Sequence, residues 1–261
     1  MKNRIFKSKL VKRLLSRSEH DDCVKHYTHY VTVPNSILHC GAHLGEENSF
    51  YKELGINTIY WNEAQPKLVE ILITNFGKEN VFSGALSDED GKTITFYLTD
   101  NSLSSSTKII NPINDWNIKL TESFDVNTIT LDAILEKITI RKEQIPQLII
   151  LDLQGGEFEA LSKSEIALAN QADFVVEMAQ YEIYKNQKLE SDVIDFFRHY
   201  GYKCVYPKTK KAHYDALFLS ENSQKIYFKK RKILQRFLSY RKSKFVSFLY
   251  ICKKHLTKTD P

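Results

Sequence analysis

Asp152 and Glu157 stand five residues apart in "DLQGGE", directly behind an apolar run. A carboxylate ending a strand and another opening the next helix can hold an amine or take up a proton. A second group of polar residues lies in "ILHCGAHLGEE", Ile37 to Glu47, where Gly41, Ala42, His43, Gly45 and Glu46 form a turn after an apolar stretch. His43 can act as a base, because its ordinary pKa is near 6.5. It can equally contact a carboxylate. Glu63, in "IYWNEAQP", lies 18 residues beyond Gly45, and Ala85 and Leu86 follow Gly84 in "GALSDEDGKTITFY".

The glycine turn excludes the common nucleotide loops. A dinucleotide fingerprint starting at Gly41 needs glycines where His43 and Glu46 stand. Glu46 also puts negative charge where a pyrophosphate would rest on a helix N-terminus. A phosphate-binding Gly-Lys-Ser/Thr loop is absent. What remains is a ligand without phosphate. Glu63 at a strand end can accept both hydroxyls of a ribose, so an adenosine carrier such as S-adenosylmethionine fits. That carrier is cationic, which suits an acidic pocket. The predicted cofactor contacts are Gly41, Ala42, His43, Gly45, Glu46, Glu63, Ala85, Leu86 and Asp152. The predicted catalytic residues are Asp152, Glu157 and His43. No metal is expected, because no His/Cys/Asp/Glu cluster has ligand spacing along the chain.

Elements alternating strand and helix must carry these residues. Strands are predicted at Ile37–Cys40, Thr58–Trp61, Asn80–Ser83, Gln147–Leu153 and in "ADFVVEM", "KCVYP" and "DALFLS". Helices are predicted over Glu46–Leu54, from Pro66 to about Phe76, from Leu131 and over Leu189–Tyr200. "KTITFYL" and "FDVNTIT" read as further strands, and Thr99–Ser123 reads as a long loop whose "NSLSSSTKII" could cap a cleft. The alternation implies a doubly wound α/β sheet, which binds ligands beyond the carboxyl ends of its strands. Acids at several of those ends, Glu177 after "FVV" among them, make a polar rim.

Five blocks in order, "ILHCGAHLGEE", "IYWNEAQP", "GALSDEDGKTITFY", "TITLDAIL" and "LIILDLQGGEFEAL", resemble the FkbM-type family of S-adenosylmethionine-dependent methyltransferases. The resemblance covers roughly residues 35–220. It implies a class I methyltransferase (Rossmann-like) fold with a mostly parallel seven-stranded sheet. It also implies methyl transfer to a hydroxyl, with sugars of surface glycans or secondary metabolites as acceptors, and a sugar of a surface glycan or glycolipid precursor is the expected one. The chain departs from the pattern at His39, where an acid is usual, at His43, where a glycine is usual, and at Gln154, which replaces an acid and cannot act as a base.

Charge divides the 261 residues into three parts. Residues 1–17 carry seven Lys/Arg and no acid, and residues 225–261 carry twelve and one acid. Between them 31 acids face 18 basic residues. The reading is a basic N-terminal helix and lead-in over 1–34, a methyltransferase domain over 35–222 and a basic amphipathic helical segment over 223–261. Phe6, Leu10, Val11, Leu14 and Leu15 form one apolar stripe, and Ile233, Leu234, Phe237 and Leu238 form another. Basic amphipathic helices of this kind lie on anionic membranes, so residues 1–17 and 225–258 are expected at the cytoplasmic face. The four scattered cysteines fit a reducing compartment. Docking of these segments on the acidic body and nucleic-acid binding compete with the membrane. The rival functions are a nucleic-acid binder, an RNA methyltransferase and a degenerate cofactor-binding fold.

Overall fold

In a computed structural model, residues 19–111, 118–207 and 211–236 are described. The apolar stripe over residues 4–17, and Phe237 with all that follows it, lie outside them. Seven strands form the main sheet in the order β3-β2-β1-β7-β8-β10-β9. They are β1 (Ser36–Cys40), β2 (Thr58–Glu63), β3 (Val81–Ser83), β7 (Leu148–Leu151), β8 (Asp173–Ala179), β9 (Lys203–Tyr206) and β10 (His213–Leu219). Pairings β1–β2, β1–β7, β2–β3 and β7–β8 are parallel, whereas β10 runs antiparallel to both β8 and β9. This is the doubly wound, mostly parallel arrangement that the alternating pattern predicts. The chain winds outward one way from β1 through β2 and β3, then the other way from β7. The crevice therefore opens at the ends of β1 and β7.

Every residue of β1 and β7 is buried, because helices cover both faces of the sheet. Alternate side chains enter two separate cores. Leu38 and Cys40 join the layer under helices Leu131–Ile140 and Glu190–His199. Ile37 joins the opposite layer with Trp61, Leu72 and Tyr27. Thr130 caps the helix at Leu131 by accepting from Ala133 N at 3.1 Å, a contact worth about 1 kcal/mol.

Two features were not legible in the sequence, a helix before β1 and a second sheet, whereas the helix beyond β10 begins where the sequence predicts a helical segment over 223–261. A helix over Glu19–Tyr30 packs Cys23, Val24 and Tyr27 into the second core. Its apolar stripe is only these few residues among histidines and acids. A separate three-stranded sheet, β4-β6-β5, joins β4 (Ala85–Leu86), β5 (Thr93–Thr99) and β6 (Leu120–Ile129). Strand β6 starts inside the segment read as a loop, because Leu120–Ser123 are exposed and show no alternation. Beyond β10 a helix runs over 221–236. Its Tyr227 is buried, with its hydroxyl 3.0 Å from His26 Nε2, and Lys230 Nζ donates to Val31 O at 2.7 Å.

That last helix is anchored by a buried acid. Asp173 accepts from Ser220 N at 2.7 Å and from the Ser223 hydroxyl. Burial raises its pKa from 3.8 to about 6, against the lowering effect of these hydrogen bonds. A carboxyl raised on folding favours the native state while it is protonated. Its contribution is complete below pH 3.8 and is lost as pH rises through about 6. Wild-type unfolding free energy, measured in urea relative to Asp173→Asn, should fall by roughly 3 kcal/mol between about pH 4 and pH 7. Parallel profiles for the two proteins would show that Asp173 does not titrate this way.

Candidate active site

The carboxyl ends of β1, β2, β7 and β8 and the start of β10 wall a cleft of about 250 Å³. Its floor depends on one close approach. A Cβ on Gly41 would lie 1.8 Å from Asp152 O, and Gly41 has φ +82. Only glycine lets the first turn and the β7 end meet. His43, where the sequence departs from a glycine, also takes a left-handed φ of 47, unusual for a side-chain-bearing residue. Two contacts hold it there. His43 Nδ1–H donates to Glu46 Oε1 at 2.9 Å, and His43 N donates to Glu63 Oε2 at 2.8 Å.

Of the predicted residues, Gly41, His43, Glu63, Ala85, Leu86 and Asp152 line the cleft. Ala42, Gly45, Glu46 and Glu157 do not. Ala42 is buried in the second core. Gly45 packs beneath Phe76. Glu46 folds back on its own turn, accepting from Leu44 N at 3.1 Å. Glu157 is buried and accepts from Leu153 N at 2.8 Å and from Gly155 N at 3.1 Å. It clamps the loop after β7 instead of facing the cleft. Burial and then the charge of Glu177 push its pKa well up.

Glu63 is 5% exposed. Its Oε1 accepts from Ala64 N and Gln65 N at 2.9 and 2.8 Å, and Oε2 from His43 N. Three of the four lone-pair sites of the carboxylate are thus used. One is left for a ligand hydroxyl, where the sequence reading expected two hydroxyls to be accepted. Asn62, which sequence reasoning passed over, holds this strand end in place. Its Nδ2 donates to Phe82 O and Gly84 O at 3.1 and 3.0 Å.

The opposite wall is acidic and hydrogen-bonded. Gln154 Nε2 donates to Asp152 Oδ1 at 2.6 Å and Glu177 Oε1 at 3.0 Å, while its Oε1 accepts from the Tyr184 hydroxyl at 2.8 Å. A neutral amide lets two carboxylates approach each other, which a third acid at that place would oppose. Burial, followed by the charges of Asp152 and Asp215, raises the Glu177 pKa well above its ordinary value. His213 Nε2 lies 3.0 Å from Glu177 Oε1, and both residues line the cleft. Glu177 was visible as a strand-end acid. Its pairing with His213 is an antiparallel β8–β10 contact that no linear spacing reveals. Behind the wall sits His20, 3.4 Å from Glu47 and 3.7 Å from Asp152. Burial opposes its charge, but Glu47, Asp215 and Asp152 outweigh burial and raise its pKa to about 10.

The chain matches the Methyltransferase FkbM domain over residues 39–204. It belongs to this family. The FkbM chain is similar in structure to a TehB-like SAM-dependent methyltransferase from Corynebacterium glutamicum, with 11% identity and a TM-score of 0.44. That match covers 84% of this chain and 97% of the other. It is similar to an O-methyltransferase from Bacillus cereus in complex with SAH, with 12% identity, a TM-score of 0.40, and 82% and 90% of the two chains covered. It is similar as well to a magnesium protoporphyrin IX methyltransferase from Synechocystis with bound SAM, with 8% identity, a TM-score of 0.40, and 82% and 91% covered. No curated protein sequence matches the chain. The strand order of this FkbM methyltransferase carries the fold assignment by itself.

Its cofactor is S-adenosyl-L-methionine, and the cleft has the chemistry to hold it. Ala64, Ala85, Leu86 and Phe96 offer an apolar wall, and Glu63 and Asp152 offer acceptors. Removing the last acceptor site of Glu63 should weaken binding. Glu63→Ala is expected to lose on the order of tenfold to a hundredfold in cofactor affinity by calorimetry. Unchanged affinity in a variant whose circular dichroism is native would remove Glu63 from the site.

Proposed function

We propose that this methyltransferase transfers its methyl group to a hydroxyl of a sugar, in a glycan or glycolipid precursor handled at a membrane surface. The observation that carries the hydroxyl chemistry is the His213–Glu177 pair facing the same cleft as Asp152. When bound, the cofactor supplies an electrophilic methyl on a sulfonium. The protein must then align the acceptor oxygen and remove its proton.

His213 takes that proton, and Glu177 behind it stabilises the imidazolium that results. Asp152 holds the methionine amine, Glu63 a ribose hydroxyl, and His43 borders the cofactor side of the cleft. Glu157 acts at one remove, by fixing the loop from Asp152 to Gly156. Ser102, Ser105 and Thr107 line the cleft, and hydroxyls of this kind suit a polyhydroxylated acceptor. The acidic wall of Glu63, Asp152 and Glu177 repels a phosphodiester backbone, which argues against RNA.

The membrane reading rests on the helix over 221–236. Tyr227 faces the body, while Ile226, Phe228 and Ile233 are more than 40% exposed. Lys225, Lys229, Lys232 and Arg236 are exposed as well. Apolar side chains interleaved with lysines fit an anionic lipid surface. Among the described residues, no helix is long and apolar enough to cross a membrane. The proposed attachment is peripheral, through this helix, as the sequence reading expected for the cytoplasmic face.

Two experiments test this reading. With labelled cofactor and a panel of sugars, glycolipids and RNA, His213→Ala should lose about 10²–10⁴ in turnover with cofactor affinity unchanged. The acid limb of the wild-type profile should lie well above pH 4.5, because an elevated Glu177 must ionise. Wild-type turnover in the variant would place the base elsewhere, and label found only in RNA would overturn the sugar acceptor. Separately, the full chain should co-sediment with vesicles containing phosphatidylserine, and Ile226→Asp/Phe228→Asp should not. Equal sedimentation of the two would remove this helix from any membrane contact.

A further inference from the structure

Three residues far apart in the chain converge behind the cleft. His20 comes from the helix over Glu19–Tyr30, His39 from β1, and Glu47 from the end of the glycine turn. All three are buried, at 3%, 1% and 7% exposure. One donor atom of each lies within 4.8 Å of the others. The sequence showed no ligand spacing because the fold, not a short motif, brings them together. We propose that His20, His39 and Glu47 form a binding site for a divalent transition-metal ion of the zinc type.

Four observations support the site. First, the donor set of two imidazoles and one carboxylate is that of zinc, with three protein ligands leaving a position for water. Second, His39 Nε2 is buried without a hydrogen-bond partner, and His20 Nε2 faces only the Glu47 carboxylate at 3.4 Å, without a well-formed hydrogen bond. Buried polar atoms seldom remain so, and an ion would satisfy both. Third, the spacing is close to what an ion needs. His20 Nε2 stands 3.4 Å from Glu47 Oε1, about the edge of a tetrahedron with bonds near 2.1 Å. The two rings meet edge-on with centroids 5.1 Å apart, and two imidazoles on one tetrahedral ion stand about 5 Å apart by the same geometry.

The fourth observation concerns the far side of each ring. Tyr51 Oη lies 3.1 Å from His39 Nδ1. Asp152 Oδ2 and Asp215 Oδ2 lie 3.7 and 3.9 Å from His20 Nδ1. Metal-bound histidines have such outer partners on the nitrogen that faces away from the ion, and these set the tautomer. Asp152 and Asp215 also supply negative charge that one carboxylate ligand leaves unbalanced against a dication. The ion would thus brace the N-terminal helix against β1 and stand behind Asp152. This inference does not rest on the nature of the methyl acceptor.

The test uses the full chain purified without chelator. Elemental analysis should find one zinc per chain. Stripping it should lower Tm, and added zinc should restore Tm. Cobalt in its place should give the visible absorption of a tetrahedral ion. His39→Gln should lose the ion, and Tyr51→Phe, which keeps all three donors, should weaken zinc binding about tenfold to a hundredfold. Glu63→Ala, in the cofactor cleft, should keep it. A wild-type chain with no zinc, no response of Tm to added zinc and no cobalt spectrum overturns the proposal and leaves His20 as an imidazolium paired with Glu47. Zinc bound equally well by His39→Gln overturns it too.

Discussion

The contact between Gly41 and the backbone of Asp152 governs the site. Strands β1 and β7 pair in register up to Cys40 and Leu151, and Asp152 N donates to Cys40 O at 3.1 Å. One residue later the chains must part, β1 turning toward β2 and β7 toward its own helix. The crevice exists because they part there. A side chain at 41 would overlap Asp152 O and force the two ends apart. Gly41 N and Ala42 N meanwhile donate to Asn62 O, both at 3.0 Å. The same turn therefore ties β2, and with it Glu63, to the place where Asp152 emerges.

The crevice gathers more acid than its walls could tolerate unaided. Glu63, Asp152 and Glu177 line it, and Glu157, Asp215 and Glu47 are buried behind its walls. Burial makes each isolated charge costly. The structure answers in three ways. Glu63 and Glu157 are solvated by backbone N–H groups. Asp152 and Glu177 share the amide of Gln154. His213 and His20 approach from either side. The remaining imbalance is useful, since a negative pocket favours a sulfonium over its neutral demethylated product.

The fold was largely legible because its strands are long enough and apolar enough to announce themselves. Leu148–Leu151 and Phe174–Val176 can be nothing but central strands. The glycine turn and Glu63 were legible because strand ends are where such sheets bind ligands. Glu157 misled, because an acid opening a helix looks the same in sequence whether it faces a cleft or a backbone loop. Here Gly155 and Leu153 present their N–H groups to it. The helix over Glu19–Tyr30 was hidden because its buried face holds only three apolar residues, Cys23, Val24 and Tyr27, beside the buried His20 and Asp21. The pairing of His213 with Glu177, and of His20 with Glu47, depends on strand and helix packing that spacing along the chain does not encode.

The family match ends at residue 204 and begins at residue 39, yet the site does not end there. His213 and Asp215 lie on β10, and His20 lies on the N-terminal helix. These two elements touch, since Cys23 Sγ donates to Asp215 O at 3.4 Å. The helix over 221–236 closes over them through Tyr227 and His26. The cofactor half of the cleft is thus built from the shared domain, while the residues behind and beside Asp152 come from the flanking segments. Of the residues that line the cleft, His213 is the one that a flanking segment supplies. A domain that keeps its cofactor half and varies its flanks can change its acceptor without rebuilding the fold.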